Sequence, residues 1–364
     1  MLPRRVLASI SARLAATILV TATLALAGCR IDTSGGGLDS SGGSAPGGSG
    51  SSGPAATSVP SGPSAAGSLI IEPNAGFSAV YSLIGQAKSS IDLTMYELSD
   101  HTAESDLGAA AQRGVDVRVV LDGKQKSTND SAYDYLRSHD VKVVWSSPRY
   151  EFTHQKTLVV DGSEAVIMTA NLTSQYYSTS RDFLVTDTSH ADVSAITTVF
   201  NADFAHHSIT PGDGQDLVWS PTGSQDKLLA LINGARHSLR VYSEEMGDST
   251  IEQALIAAAR RGVDVQVCGE NTDGEYDSDF SDLAHGGVHI SYYSSSTGFY
   301  IHGKVVEADY GTSQAKVFIG SENFSSTSLN RNRELGLITS SGPVMSAIAS
   351  DFSTDFSRGQ KVPS

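Results

Sequence analysis

The sequence predicts an α/β protein built as two repeated α/β sandwich lobes packed with pseudo-twofold symmetry. Residues 109–123 read AAAQRGVDVRVVLDG and residues 257–271 read AAARRGVDVQVCGEN, which sets Gly114 and Gly262 148 positions apart. Upstream, SLIGQAKSSIDL at Ser82–Leu93 returns with the same offset as ALINGARHSLRV at Ala230–Val241. Each copy also alternates helical and strand patterns. A unit that recurs at fixed spacing is one structural module built twice.

The first copy reads as residues 68–209 and the second as 210–358, with a short tail at 359–364. Phe77, Val80, Tyr81 and Ile84 recur at helical spacing ahead of the strand Ser90–Tyr96. A second helix carries Leu107 to Gln112 and stops at Gly114, because glycine accepts the left-handed conformation that ends helices. The strand Val115–Leu121, a short helix around Tyr133–Leu136 and the strand Val141–Trp145 follow. Next come hairpin arms His154–Val160 and Ala165–Ala170, the strand Phe183–Thr186, and a closing helix bearing Val193, Ile196, Val199 and Phe200. The second copy runs the same course and ends in the helix Pro343–Phe356. Continuous apolar runs such as Val119-Val120-Leu121 predict central strands covered on both faces.

Residues 1–28 read as a targeting segment. Arg4, Arg5 and Arg13 precede the apolar stretch Leu14–Ala27, which is shorter than the roughly 20 residues of a membrane span. It ends at Leu26-Ala27-Gly28-Cys29, which resembles the lipobox of bacterial lipoproteins and implies lipidation of Cys29. Residues 29–67 are dominated by Gly, Ser, Ala and Pro and predict a flexible tether, since they bury too little to offset their ordering entropy. The expected location is outside the cytoplasm, lipid-anchored to the bacterial cell membrane. Cys268 is then without a disulfide partner and reads as a small core residue.

The formal charge is −15, and removing the three leader arginines takes it to −18. Such a field repels nucleic acid, so no specific nucleic-acid partner is expected, and the chain reads as a monomer.

The chemistry sits in His154-Gln155-Lys156…Asp161 and His302-Gly303-Lys304…Asp309, which both fit H-x-K-x4-D. On a strand, positions i and i+2 share a face, so each His projects with its Lys. An imidazole beside an ammonium suits phosphoryl transfer: the ring nitrogen attacks while the ammonium neutralises the non-bridging oxygens. Each pair is followed by an amide, in Thr169-Ala170-Asn171 and Ser321-Glu322-Asn323, and then by an acid, Asp182 or Glu334. A carboxylate on the far ring nitrogen fixes a tautomer. Asp161 and Asp309 read as turn residues, and Glu97, Glu244 and Glu245 as either pocket lining or helix caps.

These segments resemble the phospholipase D superfamily, whose signature is H-x-K-x4-D, then G-S-x-N and an acid, present twice in two-lobed members. The resemblance spans residues 68–358. It implies one active site at the lobe interface, where His154 attacks to form a phosphohistidine and His302 serves as acid and base. Lys156, Lys304, Asn171 and Asn323 would clamp the phosphate, supported by Thr169, Ser321, Asp182 and Glu334, with no metal or cofactor in the scheme. Met168 stands where the signature has glycine. The expected substrate is a phospholipid or another phosphodiester, hydrolysed to phosphatidic acid and a free head group. A metal-independent nuclease, a cardiolipin-synthase-like transferase and an inactive binding protein are the alternatives.

Overall fold

The computed structural model describes residues 66–362. The leader, Cys29 and nearly all of the expected tether lie outside the described residues. In the first lobe the order is β1 (Ala66–Glu72), α1 (Ser78–Gln86), β2 (Ser90–Met95), α2 (His101–Gln112), β3 (Asp116–Leu121), α3 (Lys126–Ser138) and β4 (Lys142–Trp145). Then follow β5 (Thr157–Val160), β6 (Glu164–Met168), β7 (Ser180–Asp187) and α4 (His190–Phe204). The second lobe contains β8 (Leu217–Ser220), α5 (Ser224–Gly234), β9 (Ser238–Ser243), α6 (Ser249–Arg260), β10 (Asp264–Glu270), α7 (Asp277–His285) and β11 (His289–Tyr293). It continues through β12 (Tyr300–Ile301), β13 (Val305–Ala308), β14 (Lys316–Gly320), α8 (Ser326–Asn330), β15 (Glu334–Thr339), α9 (Gly342–Arg358) and β16 (Gln360–Lys361).

The two sheets repeat one topology. Lobe one runs β1-β7-β6-β5-β2-β3-β4 and lobe two runs β8-β15-β14-β13-β9-β10-β11, with β16 added at its edge. In each, three parallel strands join an antiparallel meander. Local chemistry repeats as well. Asp100 and Asp248 cap α2 and α6 by accepting from two backbone N–H groups each, and Gly114 and Gly262, both at φ +89°, follow the helix ends.

Because the strands alternate, each sheet feeds two cores. Val166 and Met168 point into the lobe-one core under α1 and α2, whereas Ala165 and Ile167 point the other way. That second face packs against Val317, Ile319, Leu335 and Leu337 of lobe two, together with α4 and α9, as one core shared by both lobes. Buried Arg181 pairs with Asp355 of α9 at 2.7 Å, and Arg333 pairs with Asp203 of α4 at 2.9 Å, so each lobe reaches into the other's closing helix. Cys268 is buried there as a free thiol.

Several expected boundaries move. The first strand starts at Ala66, inside the expected tether, because Ala66 pairs with Asp187 and Gly67 lets the strand come close to Thr186. The expected tail contributes β16, which pairs with β11. Helix α3 is longer than its apolar residues alone suggested. The arms of the hairpins are shorter: β5 begins at Thr157 and β13 at Val305, so neither His154 nor His302 lies on a strand of its own sheet.

Candidate active site

The residues between the lobes owe their positions to that shortening. Before β5, the chain crosses to the other lobe: Thr153 bridges Arg333, and the N–H groups of His154 and Gln155 both donate to the Arg333 carbonyl, at 2.9 and 3.0 Å. Before β13, β12 pairs with Ser180 and Arg181 of β7, and the His302 N–H donates to the Arg181 carbonyl at 3.2 Å. Each lysine returns to its own sheet, where Lys156 and Lys304 accept through their carbonyls from Met168 and Gly320. The histidines are thus held by the opposite lobe and the lysines by their own.

The acids are crossed in the same way. His154 Nδ1 lies 2.8 Å from Glu334 Oε2, and His302 Nδ1 lies 2.7 Å from Asp182 Oδ1. Each imidazole is therefore tied through Nδ1 to a carboxylate of the other lobe, which leaves Nε2 facing away from that acid. Thr169 donates to Asp182 at 2.6 Å, as support for the acid. Glu334 is supported differently: Ser328 and Asn332 donate to its Oε1 at 2.6 and 2.9 Å. Ser321, expected to help here, instead bonds the backbone of Leu335.

Lys156 and Lys304 are fully buried and donate to the carbonyls of His154 and His302. Burial, then the neighbouring Lys304, pushes the Lys156 ammonium from 10.5 down to about 7. Burial also lowers His154 below its ordinary 6.5, so its ring is neutral at pH 7. Burial alone would raise Glu334, but His154 and Lys156 hold it ionised below the ordinary range. Lys304 of the second lobe lowers both His154 and Lys156 by charge repulsion, so the two halves lie within electrostatic reach of each other.

The repeat is broken at one pair of positions. Tyr96 follows β2 and packs edge-on to the His154 ring, centroids 4.5 Å apart, with Lys156 over its face at 4.9 Å. The equivalent residue after β9 is Glu244, which pairs with Lys304 at 2.6 Å and lies 3.5 Å from His302 Nε2. Burial opposes charge on Glu244, yet His302 and Lys304 hold it far below the carboxylate range. Tyr300 donates to the same carboxylate at 2.9 Å. Next to these, Glu97 and Glu245 cap no helix among the described residues, where Asp100 and Asp248 hold that role; burial raises both, Glu245 to about 7. Backbone pairing sets Asn171 beside Glu97 and Asn323 beside Glu245, and the amide oxygens of both Asn side chains are buried without a partner.

The description "Cardiolipin synthase, PLD-like domain" matches residues 80–204 and 228–356, one copy in each lobe. The chain belongs to the PLD-like family. Among solved structures, the PLD-like chain overlays polyphosphate kinase from Porphyromonas gingivalis with a TM-score of 0.61 at 18% identity, over 79% of this chain and 50% of the kinase. It therefore spans about half of that protein's length. Phosphatidylserine synthase from Haemophilus influenzae Rd KW20 overlays with a TM-score of 0.60 at 12% identity, over 78% of this chain and 84% of the synthase. Both likenesses concern the fold. No curated protein matches the PLD-like chain.

One feature of this PLD-like site is missing from the sequence reading: Tyr96, although the 148-residue offset sets it against Glu244. Met168, in the place of the signature's glycine, is expected either to narrow the pocket or to pack behind it. In lobe two, Gly320 and Gly336 pair across β14 and β15, and the space above them holds Phe318 and the Glu322 carboxyl. In lobe one the paired positions are Met168 and Leu184, with the smaller Val166 and Ala170 alongside. Met168 fills core volume that lobe two fills from neighbouring positions. It packs behind the site.

Asp161 and Asp309 lie at the far ends of their strands. Asp161 accepts from the N–H groups of Lys88, Ser89 and Ser90, and Asp309 from those of Arg236, His237 and Ser238. Both stand at positive φ in the hairpin turns, 53° and 56°. They tie the turn to the start of the neighbouring strand.

Proposed function

We propose that the protein is a phospholipase D-type phosphodiesterase in which His154 is the nucleophile and His302 the acid and base. The observation that carries this reading is the crossed pairing of the two imidazoles with Glu334 and Asp182. Nε2 of His154 attacks phosphorus, the bond to the leaving oxygen breaks, and His302 protonates that oxygen. Water then gives a proton to His302 and attacks phosphorus, which releases His154. Lys156, Lys304, Asn171 and Asn323 hold the non-bridging oxygens. The neutral state of His154 suits attack, and the carboxylate at each nitrogen of His302 suits a group that hands on a proton.

Glycerophospholipids are the proposed substrates, cleaved to phosphatidic acid and a free head group. The acidic composition supports a lipid over a nucleic acid. The family description, which names cardiolipin synthase, favours a second reading in which an alcohol takes the place of water. A panel of phospholipids and plasmid DNA, assayed with and without glycerol as acceptor, separates these readings. Head-group release lost in both His154→Ala and His302→Ala supports hydrolysis. Head-group exchange exceeding hydrolysis at millimolar glycerol supports transfer, and cleavage of DNA alone removes the lipid reading.

The lipobox resemblance further supports export and anchoring through Cys29. Cys29→Ser should move the protein from the membrane to the soluble fraction.

A further inference from the structure

In each lobe a cavity opens where the parallel strands end, the edge at which α/β sheets bind ligands. The lobe-one cavity, about 260 Å³, is lined by Gly123, Lys124, Lys126, Trp145, Ser146 and Tyr150 among others. The lobe-two cavity, also about 260 Å³, is lined by Asn271, Asp273, Asp277, Tyr292 and Ser294 among others. Gly123 and Asn271, like Ser146 and Ser294, occupy equivalent positions of the repeat. The two cavities are counterparts, but one carries two lysines and the other two aspartates.

We propose that the lobe-one cavity is a subsite for a second anionic group, a phosphate or carboxylate, carried by the diester substrate. The inference rests on the phosphodiesterase reading above and names the substrate arm that lobe one receives. Four features of the cavity fit an anion. Lys126 has no ion pair among the described residues and lies 5.1 Å over the Trp145 ring. Lys124 reaches only the edge of Glu151, at 3.9 Å, and that carboxylate is held at 2.6 Å by Arg331. Helix α3, 13 residues long, begins at Lys126 in the cavity lining with no side chain capping it, so its positive dipole end lies at the cavity. The one acid in the lining, Asp122, is already occupied by the N–H groups of Lys124, Gln125 and Thr153.

The same residues link the cavity to the reacting imidazole. Asp122 holds Thr153, the residue before His154, at 2.5 Å. Gln125 donates to the Tyr96 hydroxyl at 2.6 Å, and the Tyr96 ring packs on His154. A substrate arm leaving the phosphate beside His154 thus passes Tyr96 to reach Lys124 and Lys126. The aspartates of the counterpart cavity repel the same group, so the diester binds with one polarity.

Two matched pairs of lipids test this with the full-length protein: phosphatidylserine against phosphatidylethanolamine, which differ by a carboxylate, and phosphatidylglycerol phosphate against phosphatidylglycerol, which differ by a phosphate. The exposed pair Lys124→Ala/Lys126→Ala should raise KM about tenfold for the anion-bearing member of at least one pair, the loss of one charge-assisted contact, and leave kcat and the other member unchanged. Which pair responds identifies the anion. An unchanged KM ratio in both pairs overturns the subsite. Binding is read separately from turnover: glycerol 3-phosphate should change the fluorescence of Trp145 saturably in the wild type and in His154→Ala, and not in the double lysine variant. Absence of any change in the wild type excludes a phosphate, and with an unchanged phosphatidylserine ratio it overturns the subsite. If no phosphodiester is cleaved while this titration behaves as expected, the phosphodiesterase reading fails and the anion subsite stands.

Discussion

His154 and Glu334 are 180 residues apart in the chain and 2.8 Å apart in the fold, Nδ1 to Oε2. The reverse pair, His302 with Asp182, repeats the arrangement at 2.7 Å. Neither lobe alone contains an imidazole oriented in this way, so the paired arrangement exists only once the two halves have packed.

In the proposed reaction each acid serves one half-reaction. A p-nitrophenyl phosphodiester has a leaving group that departs without an acid. With it, Glu334→Gln should abolish the burst of nitrophenolate and lower kcat about 10²–10⁴-fold, because the Nδ1 tautomer of the nucleophile is lost. Asp182→Asn should keep the burst and slow the steady state. Rapid-quench kinetics on both variants checks the assignment, and a burst that survives Glu334→Gln exchanges the roles of the two histidines.

The pH profile of kcat/KM should be narrow. His154 attacks when neutral, and its lowered pKa keeps it neutral to below 6.5, so the acid limb lies under the ordinary histidine value. Lys156 holds the phosphate when protonated and loses its proton as pH rises through about 7, so the basic limb starts there. Lys156→Arg should remove that basic limb, since a guanidinium does not titrate in this range. A limb unchanged in Lys156→Arg assigns it to another group.

The interlobe ion pairs should matter more when broken than when replaced. Arg181 holds Asp355 through two nitrogens, at 2.7 and 3.0 Å, and Tyr242 donates to the same carboxylate at 2.8 Å. Arg181→Ala leaves Asp355 charged and buried and should cost about 3–5 kcal/mol. The pair Arg181→Met/Asp355→Leu should recover most of that loss in urea denaturation.

Core volume at the strands behind the site should be interchangeable only in concert. A Cβ at Gly336 would collide with the Phe318 ring, so Gly336→Ala should destabilise by about 1–3 kcal/mol. Phe318→Val alongside it should relieve part of that cost, because lobe one carries Val166 and Leu184 at the matching positions. Thermal denaturation of the three variants reads the coupling.

The turn acid Asp161 should act on stability and leave turnover intact. Its pKa falls from 3.8 to about 2, since the bonds it accepts from Ser89, Ser90 and Lys88 outweigh burial. Its contribution is therefore present above pH 3.8 and lost as pH falls toward 2. Asp161→Ala should lower Tm by about 2–4 °C at pH 7, with kcat unchanged.

Much of this was legible in the chain. The 148-residue offset determined the two lobes, because a module that repeats with its helix caps and stop glycines repeats its sheet as well. The two H-x-K-x4-D segments, each with its amide and acid, marked the chemistry, since residue types and short spacings are local properties. Three relationships belong to the tertiary structure: which carboxylate orients which histidine, what Met168 packs against, and how Tyr96 and Glu244 make the two halves unequal. The first forms only when burial of the shared core brings the lobes together, the other two depend on contacts between separate segments within a lobe, and periodicity within one segment carries no information about any of them.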